Sequence, residues 1–205
     1  MQDHQAETSY CPERVASRSR DMIVLTGCSG GGKSTLLSAL SRKGASVFEE
    51  PGRQVVREQI FVNGDALPWK DLGLFVDLTI SRSIYHMIEA CRRPDRAFFD
   101  RGIIDQIAGL QVAGIDVPEF HMRAAERFRY RRQVFVLPPW PEIFHNDGER
   151  RHAFEDALKN YEGLLHTYRQ FGYDLLEVPK ETVEMRAEFI IAHLADDDPE
   201  QSLRF

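Results

Sequence analysis

The sequence predicts an α/β fold in which a five-stranded parallel sheet is covered by helices on both faces. Two observations carry this prediction: short apolar runs recur along the chain, and amphipathic stretches of helical length separate them. Continuous apolar runs are typical of strands that are buried on both faces, as parallel strands are. Their alternation with helical segments indicates strand–helix–strand units joined in one parallel sheet.

The positions of the strands follow from where each apolar run is interrupted. The run MIVLT is closed by Gly27, QVFVL by Pro138 and YDLLEV by Pro179. Glycine and proline are the strongest breakers of regular structure, so each strand is expected to end there. We therefore expect strands at residues 22–26, 45–48, 97–100, 133–137 and 173–178.

Helical periodicity occupies the intervals between these strands. In the longest predicted helix before the third strand, Leu74, Leu78 and Ile84 belong to one apolar stripe. Gly114 divides the interval before the fourth strand into two helices. We expect helices at residues 33–42, 53–61, 72–91, 103–113, 118–130, 149–171 and 182–194.

Length and composition indicate one domain with a short tail at each end. The chain has 205 residues, which suits a single domain with its own core. Residues 1–20 are polar and lack periodicity, so we expect a mobile N-terminal tail there. Residues 195–205 are interpreted as an acidic C-terminal tail, which leaves residues 21–194 for the domain.

Charge, hydropathy and cysteine content argue against several classes of protein. The formal net charge is −6, which disfavours a uniformly basic nucleic-acid binder. No apolar run reaches the roughly 18 residues of a membrane span, and the polar N-terminus is unlike a signal peptide. Three scattered cysteines suit a reducing compartment, so we expect a cytoplasmic protein.

A glycine-rich segment between the first strand and the first helix carries the clearest chemistry. Residues 27–35 read GCSGGGKST and match G-x-x-x-x-G-K-[ST]. Glycines let backbone N–H groups turn toward an anion, and the following helix points its positive end at the same place. The segment predicts a P-loop NTPase fold with ATP and Mg²⁺ as cofactors. The expected nucleotide contacts are Gly27, Cys28, Ser29, Gly30, Gly31, Gly32, Lys33, Ser34 and Thr35.

Three residues complete the expected phosphate and metal contacts. Lys33 is placed to reach the β- and γ-phosphates, and the Ser34 hydroxyl is placed to ligate Mg²⁺. Asp100, at the end of the third strand, is the best second acidic contact for the metal. Arg101 follows it where a motor ATPase would carry a glutamate, and the sequence contains neither N-K-x-D nor LSGGQ. These features favour small-molecule phosphoryl transfer over motors, Ras-like GTPases and transporter cassettes.

The second strand ends in carboxylates that suit a catalytic base. Glu49 and Glu50 lie at the carboxyl end of that strand, where ligands sit in open α/β sheets. Either carboxylate could accept the proton of an acceptor hydroxyl, with Glu50 as our first choice and Glu49 as a substrate contact. Arg53 could orient the carboxylate or hold substrate. The alternative is a solvated cluster of charges on a loop.

Two further loops at the same edge carry arginines. Arg101 could bind substrate or the transferred phosphoryl group, and Asp105 could fix that arginine, bind a substrate hydroxyl or simply cap the next helix. Arg150 and Arg151 lie in a short predicted lid at about residues 140–152. Closed over the γ-phosphate, they would neutralise developing charge; the alternative is a surface turn.

Six segments together resemble a known family. GCSGGGKST, EEPGR, FFDRGIID, VLPPW, DGERR and GYDLLEVP resemble the predicted-ATPase, AAA-type P-loop domains that group with nicotinamide riboside kinase domains, over residues 21–194. The EEP segment also resembles deoxynucleoside kinases, in which the matching glutamate acts as base. The resemblance implies Glu50 as base, Asp100 as a magnesium or substrate contact, and Arg150 or Arg151 as lid arginine.

Two functions follow from these residues. The first is a Mg²⁺-dependent kinase that transfers the γ-phosphate of ATP to a small hydroxyl acceptor, such as a nucleoside. The alternative is a nucleotide-dependent binding switch or slow NTPase that acts on a protein or phosphoinositide partner. A kinase consumes ATP faster when its acceptor is present, whereas a switch hydrolyses slowly whether or not a small acceptor is present.

Overall fold

The computed structural model describes residues 10–143 and 154–196, and it confirms the predicted five-stranded parallel sheet with helices on both faces. The strands are β1 (Met22–Gly27), β2 (Ser46–Phe48), β3 (Ala97–Asp100), β4 (Gln133–Leu137) and β5 (Asp174–Glu177). The helices are α1 (Arg14–Arg18), α2 (Lys33–Arg42), α3 (Pro51–Phe61), α4 (Leu72–Ala90), α5 (Ile103–Val112), α6 (Glu119–Arg127), α7 (Phe154–Gln170) and α8 (Val183–Asp196). No helix within these residues is both long and apolar enough to cross a bilayer.

The central strand β1 shows why the first apolar run is continuous. Ile23 and Leu25 pack against α2 and α8 on one face of the sheet, whereas Met22 and Val24 pack against the helices of the other face. Successive side chains of a strand point to opposite faces, so both sets must be apolar when both faces are covered.

Strand order brings the predicted site residues to one edge of the sheet. The order is β2-β3-β1-β4-β5, all parallel, so β1 lies between β3 and β4. The chain builds β2 and β3 on one side of β1 and later builds β4 and β5 on the other. In such sheets ligands bind at the carboxyl ends of the strands, where this reversal occurs. The loops after β1, β2 and β3 meet at that edge.

Local capping chemistry accounts for the first residues of two helices. Helix α3 begins at Pro51, two residues earlier than expected, because proline at the first helical position is already fixed in a helical φ and sacrifices no hydrogen bond. Asp71 starts α4 by accepting a hydrogen bond from the Leu74 amide at 2.9 Å. Helix α6 ends at Arg127, three residues before the predicted end.

The N-terminal segment differs from its expected state as a tail. Residues 1–20 were assigned there, yet the helix α1 packs on the domain with Val15 fully buried. Arg18 pairs with Asp21 at 2.6 Å and donates to the Arg93 carbonyl at 3.0 Å. A single turn that buries one apolar side chain leaves no periodic pattern, so it could not be predicted from hydrophobic periodicity.

The other predicted segments at the chain ends and the lid fall partly outside the described residues. Helix α8 continues through Asp196, so the helical structure runs into the segment that we assigned to an acidic tail at 195–205. Residues 1–9 and 197–205 lie outside the described part of the chain, as do residues 144–153 of the predicted lid region.

The packing of α1 gives a testable prediction for stability. Val15→Ala should lower the free energy of unfolding by about 1–2.5 kcal/mol, because it removes two buried methyl groups and leaves a cavity. Ser17→Ala, at an exposed position of the same helix, should change it by less than about 0.5 kcal/mol. The free energies of unfolding are measured by urea titration of both variants. A Val15→Ala value equal to that of the wild-type chain would contradict the packing of α1.

Candidate active site

The phosphate loop, residues 27–35, is shaped by its glycines. Gly27 ends β1 with a φ of +124°, and a Cβ at this position would lie 2.2 Å from the carbonyl oxygen of Leu137 on β4. The Cys28 amide donates to that same carbonyl at 3.0 Å. Gly30 and Gly32 also have positive φ values, +80° and +79°. The loop is thus pressed against β4 in a conformation that side chains would block.

Lys33 projects from the first turn of α2 into this loop and is only 5% exposed. Among the described residues, its Nζ has one hydrogen-bond acceptor, the Cys28 carbonyl, at a long 3.4 Å. Burial lowers the pKa of Lys33, Arg101 lowers it further, and Asp100 and Glu50 oppose the shift. The ammonium is therefore desolvated yet weakly bound, which suits an exchange of the carbonyl for a phosphate oxygen.

Glu50 is held by two arginines at the end of β2. Arg101 Nε donates to Glu50 Oε1 at 3.1 Å, and Arg53 Nε donates to Oε2 at 3.0 Å. Burial favours the neutral acid, but the charges of Arg101, Lys33 and Arg53 outweigh it, so the pKa of Glu50 lies below its usual value. Glu50 is therefore ionised and fixed in orientation at neutral pH. Its neighbour Glu49 is exposed.

Arg101 itself is positioned by its backbone and by Asp105. Its φ of +66° is unusual for a residue other than glycine, and its amide donates to the Leu25 carbonyl at 3.0 Å. Arg101 Nη1 also donates to Asp105 Oδ1 at 3.0 Å. Left-handed backbone at a non-glycine residue is costly and persists where the surroundings impose it, often at functional sites.

The Asp105 carboxylate accepts four hydrogen bonds from described residues. Besides Arg101, its donors are the Thr26 hydroxyl, the Tyr168 hydroxyl at 2.6 Å and the Gly102 amide at 2.8 Å. A carboxylate has about four acceptor positions, so little capacity remains for a substrate hydroxyl. The structure thus uses Asp105 to cap α5 and to support Arg101, two of the three roles that the sequence left open.

Asp100 offers an unsatisfied carboxylate oxygen beside the phosphate loop. The side chain is 5% exposed, and its Oδ1 has no hydrogen-bond partner among the described residues. Burial raises the pKa of Asp100 to about 6, and the Glu50 charge adds to the rise while Lys33 opposes it. Buried polar atoms are rarely left without a partner, so this oxygen fits a cation that it would ligate.

Two described side chains could contribute to a magnesium site whose other ligands would be phosphates and water. Ser34 and Asp100 line the same cleft, and the Ser34 side chain is exposed to it. No group of three or more His, Cys, Asp or Glu side chains in residues 10–143 and 154–196 could hold a metal alone. Mg²⁺ is commonly bound by one or two protein groups together with nucleotide phosphates and water, so these residues fit it.

Two clefts of about 490 Å³ each meet at Glu50. The α2–α3 cleft is polar, and its lining includes Ser34, Ser38, Ser41, Glu49, Glu50, Arg53, Arg57 and Asp100. The α5–α7 cleft is more apolar, and its lining includes Gly27, Cys28, Ser29, Glu50, Phe75, Arg101, Gln106, Asn160, Tyr161 and Leu164. Glu50 alone among the catalytic candidates within the described residues lines both, so it lies between the cleft that contains Ser34 and Asp100 and a second cavity of ligand size.

The structure brings most of the sequence-predicted charged and hydroxyl residues together at one edge of the sheet: Lys33, Ser34, Glu50, Arg53, Asp100, Arg101 and Asp105. Glu49 lines only the α2–α3 cleft, and Arg150 and Arg151 lie outside the described residues. Five residues that support or line the site were not predicted from the sequence: Thr26, Phe75, Gln106, Tyr161 and Tyr168.

Comparisons with solved structures agree on the fold. The chain resembles a NadR protein in complex with NR (TM-score 0.67, 17% identity), covering 89% of this chain and 52% of that one, so it spans about half the length of that protein. It also resembles thymidylate kinase from Ehrlichia chaffeensis, with a TM-score of 0.56 and 17% identity, over 84% of this chain and 97% of that one. Deoxyadenosine kinase from M. mycoides with bound dCTP gives a TM-score of 0.55 and 18% identity, over 85% of this chain and 99% of that one. At such identities the likeness concerns the fold.

Sequence comparison identifies the family. No curated protein sequence matches the chain. A sequence model of the AAA domain family matches residues 22–186, which run from β1 into α8 and include the phosphate loop and the charged residues around Glu50. The chain therefore belongs to the AAA domain family, and its fold is that of the P-loop kinases.

Proposed function

We propose that this protein is a Mg²⁺-dependent kinase that transfers the γ-phosphate of ATP to a hydroxyl group of a small molecule, such as a nucleoside. The triphosphate would lie along the phosphate loop, with Lys33 against its β- and γ-phosphates. The acceptor would occupy the α5–α7 cleft, whose mixed apolar and polar lining suits a small organic ligand. The cysteine content favours a cytoplasmic setting for this reaction.

The position of Glu50 carries this proposal. A kinase needs a polar group between the phosphates and the acceptor hydroxyl, and Glu50 borders both clefts while two arginines fix its carboxylate. A hydrolytic switch needs no second cleft of ligand size beside its base. The presence of that cleft therefore favours transfer to an acceptor over transfer to water.

The proposed step is a direct displacement at the γ-phosphorus. The acceptor oxygen forms the new P–O bond, the bond between the γ-phosphorus and the β–γ bridging oxygen breaks, ADP leaves, and the hydroxyl proton passes to Glu50. Phosphoryl transfer has a loose transition state in most analyses, so the hydroxyl needs little activation before the old bond weakens. A carboxylate with a lowered pKa is sufficient, because its main task is to orient the hydroxyl.

Positive charge around the transferred group would come from Lys33 and Arg101. Both are buried near Glu50, where a low dielectric strengthens their attraction for phosphate oxygens. Ser34 and Asp100 would hold the Mg²⁺, which neutralises phosphate charge when bound. Arg150 and Arg151 remain candidates for closing the site from the lid.

The first test is an acceptor screen with a phosphate-loop variant. Wild-type chain with ATP and Mg²⁺ should phosphorylate at least one member of a panel of nucleosides, ribosides and sugars, detected by mass spectrometry of the products. Lys33→Ala should reduce product to background, because the triphosphate loses its desolvated cation. Lys43→Ala, exposed beyond the end of the same helix, should behave as wild type. Slow ATP hydrolysis that no acceptor accelerates would overturn the proposal in favour of a switch.

The paired glutamates provide a matched test of the base. Glu50→Gln should lower kcat/KM for the acceptor roughly 10²- to 10⁴-fold, because the amide cannot take the proton. Nucleotide affinity should fall less than kcat/KM, because Lys33 and the loop backbone are untouched while Arg101 loses one of its two charged partners. Glu49→Gln should leave both values near wild type. Equal losses in the two variants would contradict the assignment of Glu50.

The Asp100 carboxylate should lower the free energy of unfolding at neutral pH and should be needed to bind the metal. Its pKa is raised from 3.8 to about 6 in the folded chain, so folding favours its protonated form and this contribution to stability is lost as pH rises from about 4 to 6. In EDTA, Asp100→Asn should therefore gain about 2–3 kcal/mol in unfolding free energy, relative to wild type, between pH 4 and pH 7. The same substitution should weaken Mg²⁺-dependent nucleotide binding.

Exposed Asp65→Asn is the control for this measurement, because Asp65 lies far out in solvent beside Lys70. Its effect on the unfolding free energy should be small, because its side chain is exposed. A pH-independent effect of Asp100→Asn would contradict the buried, raised-pKa carboxylate that we assign to the metal side of the site.

A further inference from the structure

The side chain of Arg186 lies behind the phosphate loop, where the proposed mechanism gives it no role. It comes from the start of α8, which packs with α2 on the face of the sheet opposite α5 and α7. Only 2% of it is exposed. Arg186 Nη2 donates to the carbonyl oxygen of Gly31 at 3.0 Å, and the guanidinium carbon lies 5.5 Å from the centre of the Trp140 ring.

The charge of Arg186 is not compensated within the described residues. No carboxylate there forms an ion pair with it, its Nε has no hydrogen-bond partner, and burial lowers the pKa of the guanidinium. A buried cation without a counter-charge is costly, and an arginine remains protonated at neutral pH. Such a group is expected where an anion arrives to balance it.

The hydrogen bond to Gly31 also fixes the direction of the loop backbone. The Gly31 carbonyl and the Gly32 N–H belong to one trans peptide unit, so they point in opposite directions. With the carbonyl held on Arg186, the N–H points away from that side chain, and it has no backbone acceptor among the described residues. A charged donor on the carbonyl also polarises that N–H, which strengthens it toward an anion.

We propose that Arg186 is a positioning residue of the phosphate site, which aims the Gly31–Gly32 peptide inward and adds an uncompensated positive charge behind the loop for the triphosphate. This inference rests on the proposed nucleotide binding. It makes α8 and Trp140 part of the nucleotide-binding site, although neither belongs to the glycine-rich motif. The effect should grow with the number of phosphates, since it acts through charge on the phosphate loop.

The test is calorimetric titration of the full chain with AMP, ADP and ATP in the presence of Mg²⁺. Arg186→Met should raise the Kd for ATP roughly tenfold, the Kd for ADP by less, and the Kd for AMP hardly at all. Arg129→Met is the matched control. Arg129 donates to the Phe171 carbonyl at 2.8 Å and lies 4.0 Å from the Tyr173 ring centre, so it makes the same two kinds of contact away from the loop.

Three results would overturn the inference. One is an unchanged Kd for ATP in Arg186→Met while the wild-type chain binds ATP, and another is an equal loss for all three nucleotides. If Arg186→Met does not fold, Arg186→Lys and Arg186→Gln are compared instead, and the lysine variant should bind ATP more tightly than the glutamine variant. Equal ATP affinities of these two variants would be the third result that overturns the inference. A wild-type chain that binds no ATP would instead overturn the proposed function, and this inference with it.

Discussion

The double ion pair of Arg101 is the contact on which the rest of the site depends. Arg101 bridges Glu50, at the end of β2, and Asp105, on the first turn of α5, with distances of 3.1 and 3.0 Å. Its left-handed backbone sends the side chain back across the end of β1, where the phosphate loop begins. Removing one partner of such a pair leaves an unpaired charge, so a substitution at any of the three residues should destabilise the positions of the other two.

From that contact the other charges take their places. Three cations and three carboxylates surround the end of the phosphate loop: Lys33, Arg53 and Arg101, with Glu50, Asp100 and Asp105. Asp105 accepts four hydrogen bonds from described residues, and two arginines hold the Glu50 carboxylate. Lys33 has one long hydrogen bond, and Asp100 Oδ1 has no partner among the described residues. Asp105 is thus a structural group, Glu50 keeps acceptor capacity for a hydroxyl, and Lys33 and Asp100 are the groups that a triphosphate and its metal would satisfy.

The sequence was sufficient for most of the fold because β1, β3 and β4 are short apolar runs that end at glycine, aspartate or proline. The edge strand β5 has only two apolar residues, and the following Pro179 marks where its segment ends. The sequence also located the phosphate loop, since that function depends on residues adjacent in the chain. It could not separate Glu49 from Glu50, because the two are adjacent and chemically identical. They differ only in the folded chain, where Glu49 is exposed and Glu50 is held by two arginines. Thr26, Tyr168 and Arg186 carried no local signal, as each acts on a residue distant in the chain. The buried turn around Val15 was missed for want of any periodic pattern.

The proposed function requires a nucleoside triphosphate to lie in the phosphate loop, with its metal beside Ser34 and Asp100 and its γ-phosphate facing the α5–α7 cleft. A crystal structure of the chain with Mg²⁺ and a non-hydrolysable ATP analogue tests it most directly. The account predicts that Lys33 Nζ leaves the Cys28 carbonyl for phosphate oxygens, that the metal lies beside Ser34 and Asp100 Oδ1, and that the Glu50–Arg101 pair persists at the γ-phosphate. A nucleotide bound elsewhere, or in the loop with Lys33 still on Cys28 and the terminal phosphate remote from Glu50, would contradict it.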